Sequence, residues 1–152
     1  MTFPTRPTID VAGVGSGQPS DIFAKFILSA EVFEDGLNIG RFAKLDTGSI
    51  DNMDASATPV LAGVVVRNVA NPIEDGDTYK TANTIAVEYV RAGIVTVEVK
   101  TGETPAKFGA VFAHNLADAD AGKAVTAVTD SVATTAEFIS EISPNVWTIR
   151  LK

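Results

Sequence analysis

The sequence predicts an all-β protein, a compact β-barrel or β-sandwich of jelly-roll-like character with an extended N-terminal arm. Short apolar, β-branched runs recur along the chain, about seven to nine of them, separated by turn residues. One of them alternates strictly, with Val95, Val97 and Val99 on one face and Thr96, Glu98 and Lys100 on the other. No segment sustains the 3.6-residue apolar period of a long helix, which disfavours a parallel, doubly wound sheet.

The elements follow in order. Residues 1–20 contain Pro4, Pro7 and Pro19 with Gly13, Gly15 and Gly17, a mixture that resists both helix interior and sheet centre and reads as an arm. Residues 21–152 form a single β domain. In "SDIFAKFILSAEVF", Ile22, Phe23, Phe26 and Ile27 fall at helical spacing after a Ser20 or Asp21 cap. Aromatic and β-branched content favours a strand there, with a short helix or turn left open. Asp35-Gly36 between apolar runs signals a tight hairpin, and residues 45–59 are polar, small and acidic, as in a surface loop.

The run "VLAGVVVRNV" has the composition of a strand buried on both faces. "TIAVEYVRAGIVTVEVK" follows as a hairpin turning at Arg91-Ala92-Gly93, and "TGETPAKFGAVFAH" as a turn and a short strand. After a weakly alternating Ala/Thr/Val stretch, Ser143-Pro144-Asn145 makes a turn into a last strand with Trp147, Ile149 and Leu151 on one face.

Composition narrows the function. A chain of 152 residues, 45% hydrophobic and 20% charged, is one domain able to bury a core without metals or disulfides. Nineteen acidic against twelve basic residues give a net charge of −7, so nucleic acid is not an expected partner. The absence of cysteine excludes thiolate nucleophiles and Cys-based metal sites. No stretch approaches the roughly 18 apolar residues of a membrane span, and the first residues lack the apolar run of a secretory signal. No membrane partner and synthesis in the cytoplasm are the expectations.

The glycine run at 13–17 is G-x-G-x-G, not the G-x-G-x-x-G of a dinucleotide turn, and no Gly-Lys-Ser/Thr follows. A turning arm explains it better than a phosphate cradle. His114 is the only histidine; without a second histidine or a nucleophile elbow it reads as structural. Asp118 and Asp120, and Glu74, Asp75 and Asp77, lack calcium-loop spacing and read as solvated acidic turns. No catalytic, cofactor or metal residue is expected. The arm does carry Phe3, Ile9, Val11 and Val14, with Arg6 among them. Apolar groups in such a segment need a covering surface: this domain, a sister subunit or another protein. These five residues are the candidate partner-binding set.

The order of several short motifs resembles the structural cement, or decoration, proteins of tailed-phage capsids. They are Ile39-Gly40-Arg41, the strand Ala62-Gly63-Val64-Val65-Val66-Arg67, the acidic step Gly76-Asp77, the apolar segment with Arg91-Ala92-Gly93, and the closing "VWTIRLK". The resemblance spans roughly residues 10–152. It implies a non-enzymatic virion protein, made in the host cytoplasm, that binds the outer surface of an icosahedral shell. There it would bridge major capsid protein subunits as a homo-oligomer, a trimer first and a dimer second. An arm of about 20 residues could reach roughly 60 Å. The Gly-rich start has no counterpart in the family pattern. The alternative is a carbohydrate- or cell-surface-binding β module, against which the single Trp and two Tyr argue. An enzyme built around His114 or two convergent carboxylates ranks third.

Overall fold

The computed structural model describes residues 26–31, 36–66 and 86–152. Among them are nine strands and no helix: β1 (Phe26–Glu31), β2 (Phe42–Asp46), β3 (Ser49–Asn52), β4 (Val60–Val66), β5 (Ala86–Glu98), β6 (Ala110–His114), β7 (Ala124–Val125), β8 (Ser131–Ser143) and β9 (Val146–Leu151). All the strand pairs are antiparallel, in the order β3-β2-β4-β5-β9-β8-β6-β7, with β1 also on β5. The all-β expectation is met. The arm at residues 1–20 lies outside the described residues.

Strand β5 organises the molecule. Its first half pairs with β1 and with β4 (Val64↔Val90 to Val66↔Glu88), and from Gly93 onward it pairs with β9 (Gly93↔Leu151 to Glu98↔Val146). The expected turn at Arg91-Ala92-Gly93 is therefore absent, and one strand runs through it. The three residues form a bulge. The ladder with β1 slips between Phe26 and Ile27, and Gly93 takes φ 111°, a conformation glycine adopts without a Cβ clash. The extra residue reverses side-chain parity, so that Val90 and then Val95, Val97 and Val99 all enter the same core. A glycine between two apolar runs signals a bulge as well as a turn, which is why the sequence misled.

Beyond Val99 the chain closes a ring. Val99 bridges Ala124 in parallel, and the Lys100 N–H donates to the Ala124 carbonyl at 3.0 Å, returning β7 to the end of β5. All five staves, β5-β9-β8-β6-β7, contribute to one core: Val95, Val97, Ile149, Leu151, Phe138, Ala136, Val111, Ala113 and Ala124. Phe138 meets Trp147 edge to face, with centroids 5.5 Å apart and planes at 77°. Phe42, Val64 and Val66 join this core from β2 and β4. On the opposite face of β2, β4 and β5 lies a second core of Leu37, Ile39, Ala43, Ile50, Ala62, Val65, Val87 and Tyr89. The two-sided burial expected of β4 is thus observed.

Three local expectations fare differently. The Ser143-Pro144-Asn145 turn joins β8 to β9, with Ser143 opposite Val146, and Trp147, Ile149 and Leu151 share one face of the last strand as expected. Within 45–59, expected as loop, β2 and β3 form a hairpin through Thr47-Gly48, both at positive φ as a tight I′ turn requires, and Ile50 and Met53 are buried. The four-residue β3 is polar on alternate positions and too short to stand out. The hairpin expected at Asp35-Gly36 does not join β1 to β2, since β1 pairs with β5; Asp35 itself lies outside the described residues. Residues 26–31 settle as strand.

Strand β4 carries its own bulge. Its ladder with β2 slips between Ala43 and Lys44, leaving Ala62 unopposed beside Gly63 (φ 149°). A Cβ on Gly63 would lie 2.2 Å from the Val90 carbonyl oxygen, so the β4 bulge sits directly against that of β5. Gly63→Ala should therefore cost about 3 kcal/mol or more of unfolding free energy, combining overpacking with backbone strain. Gly48→Ala, also at positive φ but with nothing within 4 Å, should cost only about 1–2 kcal/mol. Urea titration of both variants checks the difference.

Candidate functional site

The paired bulges open a groove. Residues 60–62 of β4 lie beyond the ladder with β5, which covers only Val64 to Val66, while β9 ends at Leu151 beside Gly93. Between them lies a concavity of about 640 Å³ lined by Phe42, Leu61, Ala62, Gly63, Ala92, Val132, Ala133 and Leu151, with Arg91 and Lys152 also on its walls. Its lining is mainly apolar, with two cationic side chains.

The charged groups near the sheet junction are committed to tying strands together. Arg41 Nε donates to Glu98 Oε2 at 2.8 Å, and its Nη1 donates to the carbonyls of Ala119 (2.8 Å) and Ala121 (3.4 Å). One side chain thus ties the start of β2, the end of β5 and the 115–123 loop. The backbone repeats the connection. Gly40 N–H donates to the Val65 carbonyl, Glu98 N–H to the Gly40 carbonyl and Phe42 N–H to the Gly122 carbonyl. Nothing local in the sequence announces a pair 57 residues apart; Arg41 stood out only as part of the Ile39-Gly40-Arg41 step.

Lys44 is buried, and its Nζ donates to Asp54 Oδ2 at 2.7 Å. That hydrogen bond, then the Ser56 hydroxyl, holds the Asp54 carboxyl below its ordinary value. Glu137 is clamped by Lys152 and Arg150, which lower its pKa in that order among the hydrogen bonds.

His114 ends β6 in the interior, only 3% exposed, with Nε2 3.1 Å from Asp118 Oδ2. The imidazole hydrogen bond is the main cause of a lowered Asp118 pKa, and the Asp120 N–H adds to it. Asp120 is held low chiefly by Lys123, 2.8 Å away. The acids at 118 and 120 therefore have protein partners. Among the described residues no group of three or more His, Asp or Glu side chains is placed to hold a metal ion. Glu74, Asp75 and Asp77 lie outside the described residues, as do the glycine run at 13–17 and all five candidate partner-binding residues, Phe3, Arg6, Ile9, Val11 and Val14.

Phe108 was not singled out by sequence reasoning. It is 63% exposed and sits at φ 65°, a left-handed conformation uncommon for a bulky residue, with Lys107 Nζ 5.1 Å from its ring centroid. No composition or spacing signal marks such a position.

These residues define a structural β protein, in which two cores and a set of ionic staples fix a curled sheet. The profile of the XM1 gp53 minor capsid protein family matches residues 2–152, and the chain belongs to that family of phage capsid proteins. A chain of the solved structure described as "The capsid of Myoviridae Phage XM1" is similar over 100% of this chain and 98% of its own length, at 32% identity and a TM-score of 0.80. No curated protein matches. The role is structural and its place is the virion, associated with the capsid.

The lowered carboxyl pKa values of Asp54, Asp118, Asp120 and Glu137 fix the sign of the acid response. A carboxylate with a folded pKa below its unfolded value stabilises fully above the unfolded value and loses that contribution as pH falls through the folded one. Stability should be level above about pH 5 and decline below about pH 4. Asp54→Asn should flatten the decline and cost about 1–2 kcal/mol at pH 7, because the buried Lys44 ammonium loses a partner that is itself partly solvated. Chemical denaturation at stepped pH measures both.

Proposed function

We propose that this protein is a non-enzymatic cement protein that binds the outer surface of the icosahedral shell and bridges neighbouring major capsid protein subunits, stabilising the head. The observation that carries the reading is membership, over residues 2–152, in a minor capsid protein family, supported by likeness to a full chain of a phage capsid. Among the described residues, strand ladders and ion pairs such as Arg41–Glu98 and Lys152–Glu137 tie the sheet together.

A packaged genome pushes capsomers apart, and a clamp resists by adding contacts across their junctions. A homo-oligomer, a trimer in the first instance and a dimer in the second, multiplies modest contacts through effective concentration. Residues 1–20 act as the reaching arm, with Phe3, Arg6, Ile9, Val11 and Val14 meeting the partner surface, and residues 21–152 act as the body. The protein is made in the host cytoplasm and joins the shell there.

Purified protein added to shells of its own phage should bind stoichiometrically and raise the temperature at which they disrupt. Absence of binding to those shells would overturn the reading. In the same assay, protein lacking residues 2–17 should remain folded by circular dichroism yet attach more weakly. Loss of folding would place the arm in the domain core instead.

A further inference from the structure

We infer that the groove between β4 and β8 is the socket for residues 21–25 of the same chain, with Ile22 and Phe23 seated in it. The inference is independent of the cement reading. The first ground is what the groove leaves open. Phe42 and Leu151 on its walls belong to the larger core, and Leu61 and Val132 are partly buried against that core. The groove is therefore a flank of the core still open to water at Leu61 and Val132, and apolar side chains laid there remove it from water. Its sides also offer backbone. Among the described residues, β4 has no ladder with β5 at 60–62, and β8 has none with β9 before Glu137.

The second ground is which part of the chain arrives there. Three segments lie outside the described residues, 1–25, 32–35 and 67–85. The last two attach near the start of β5, where Glu31 is opposite Ala86 and Val66 is opposite Glu88. The groove touches β5 at Arg91 and Ala92, about 15–20 Å further along the strand. Residues 1–25 join the described fold at that point, because Phe26 is paired with Ala92. Leu151 is paired with the next residue, Gly93, and both Ala92 and Leu151 line the groove. The start of β1 and the end of β9 thus come together at its wall.

The third ground is the sequence delivered there, Asp21-Ile22-Phe23-Ala24-Lys25. Ile22 and Phe23 lie within about 13 Å of extended chain from Phe26. A tether that short gives them a higher effective concentration at their own groove than a segment of another molecule has. Residues 15–21 carry no large apolar side chain, so the pair at 22 and 23 is set apart from Ile9, Val11 and Val14 of the arm. With that pair seated, residues 1–20 leave the domain from the groove.

The chain has no cysteine, so a single introduced thiol reports whether its position is covered. Ala133, exposed on the groove wall, and Val128, exposed outside it, are each replaced by cysteine in the full-length chain. Maleimide labelling is timed for each, relative to the same protein unfolded in urea. Ala133→Cys should label roughly tenfold or more slowly than Val128→Cys, at a rate unchanged by dilution. Adding Ile22→Ser and Phe23→Ser should bring it to within about twofold of Val128→Cys, with the fold intact by circular dichroism. Phe23→Ala, a milder change, should raise the rate part of the way, and Ile9→Ser with Val11→Ser should leave it slow. Equal labelling of the two cysteines overturns the inference, as does protection that survives both changes at Phe23. Protection lost on dilution, or through the Ile9 and Val11 changes, also overturns it and assigns the groove to another copy or to the arm. No shell enters the measurement, so its outcome is separate from that of the cement reading.

Discussion

The fold depends on the backbone ladder of β5. Over its first half this strand is hydrogen-bonded to β1 and β4, and over its second half to β9. Both halves send valines into one core because the bulge before Gly93 resets the side-chain parity. A strand without that extra residue would turn Val95, Val97 and Val99 away from Phe138 and Ile149 and leave Thr96 and Glu98 facing them. The ring closed through Val99 and Ala124 presupposes the bulge.

A second connection fixes the angle at which the two parts meet. The Gly40-Arg41 segment lies between β4, the end of β5 and Gly122, joined by backbone hydrogen bonds and by the Arg41–Glu98 ion pair. Asp54, Asp120 and Glu137 are likewise paired with nearby cations. The groove lies where two bulges part the strands at their shared edge.

Much of this was legible in the sequence, and the misses have physical causes. Alternation in β5, the apolar run of β4 and the Pro144-Asn145 turn each rest on local chemistry, so they could be read directly. Gly93 could not, because a positive φ serves a turn and a bulge alike, and only pairing partners decide between them. The β2–β3 hairpin was hidden in a polar stretch where one buried residue, Ile50, carries the signal. The groove, the Arg41–Glu98 tie and the exposed, left-handed Phe108 depend on contacts between distant segments that no single-sequence pattern encodes. The motif order that resembled cement proteins contained Gly40, Arg41 and Gly93, residues the structure places at the joints of the fold.

Native-state hydrogen exchange tests the central claim most directly, since it asks whether β5 makes the two parts one cooperative unit. The account predicts that amides of β4, of both halves of β5, and of β8 and β9 exchange with a common opening free energy equal to that of global unfolding. A lower, separate opening free energy for β8 and β9, with β4 and the first half of β5 still protected, would contradict it.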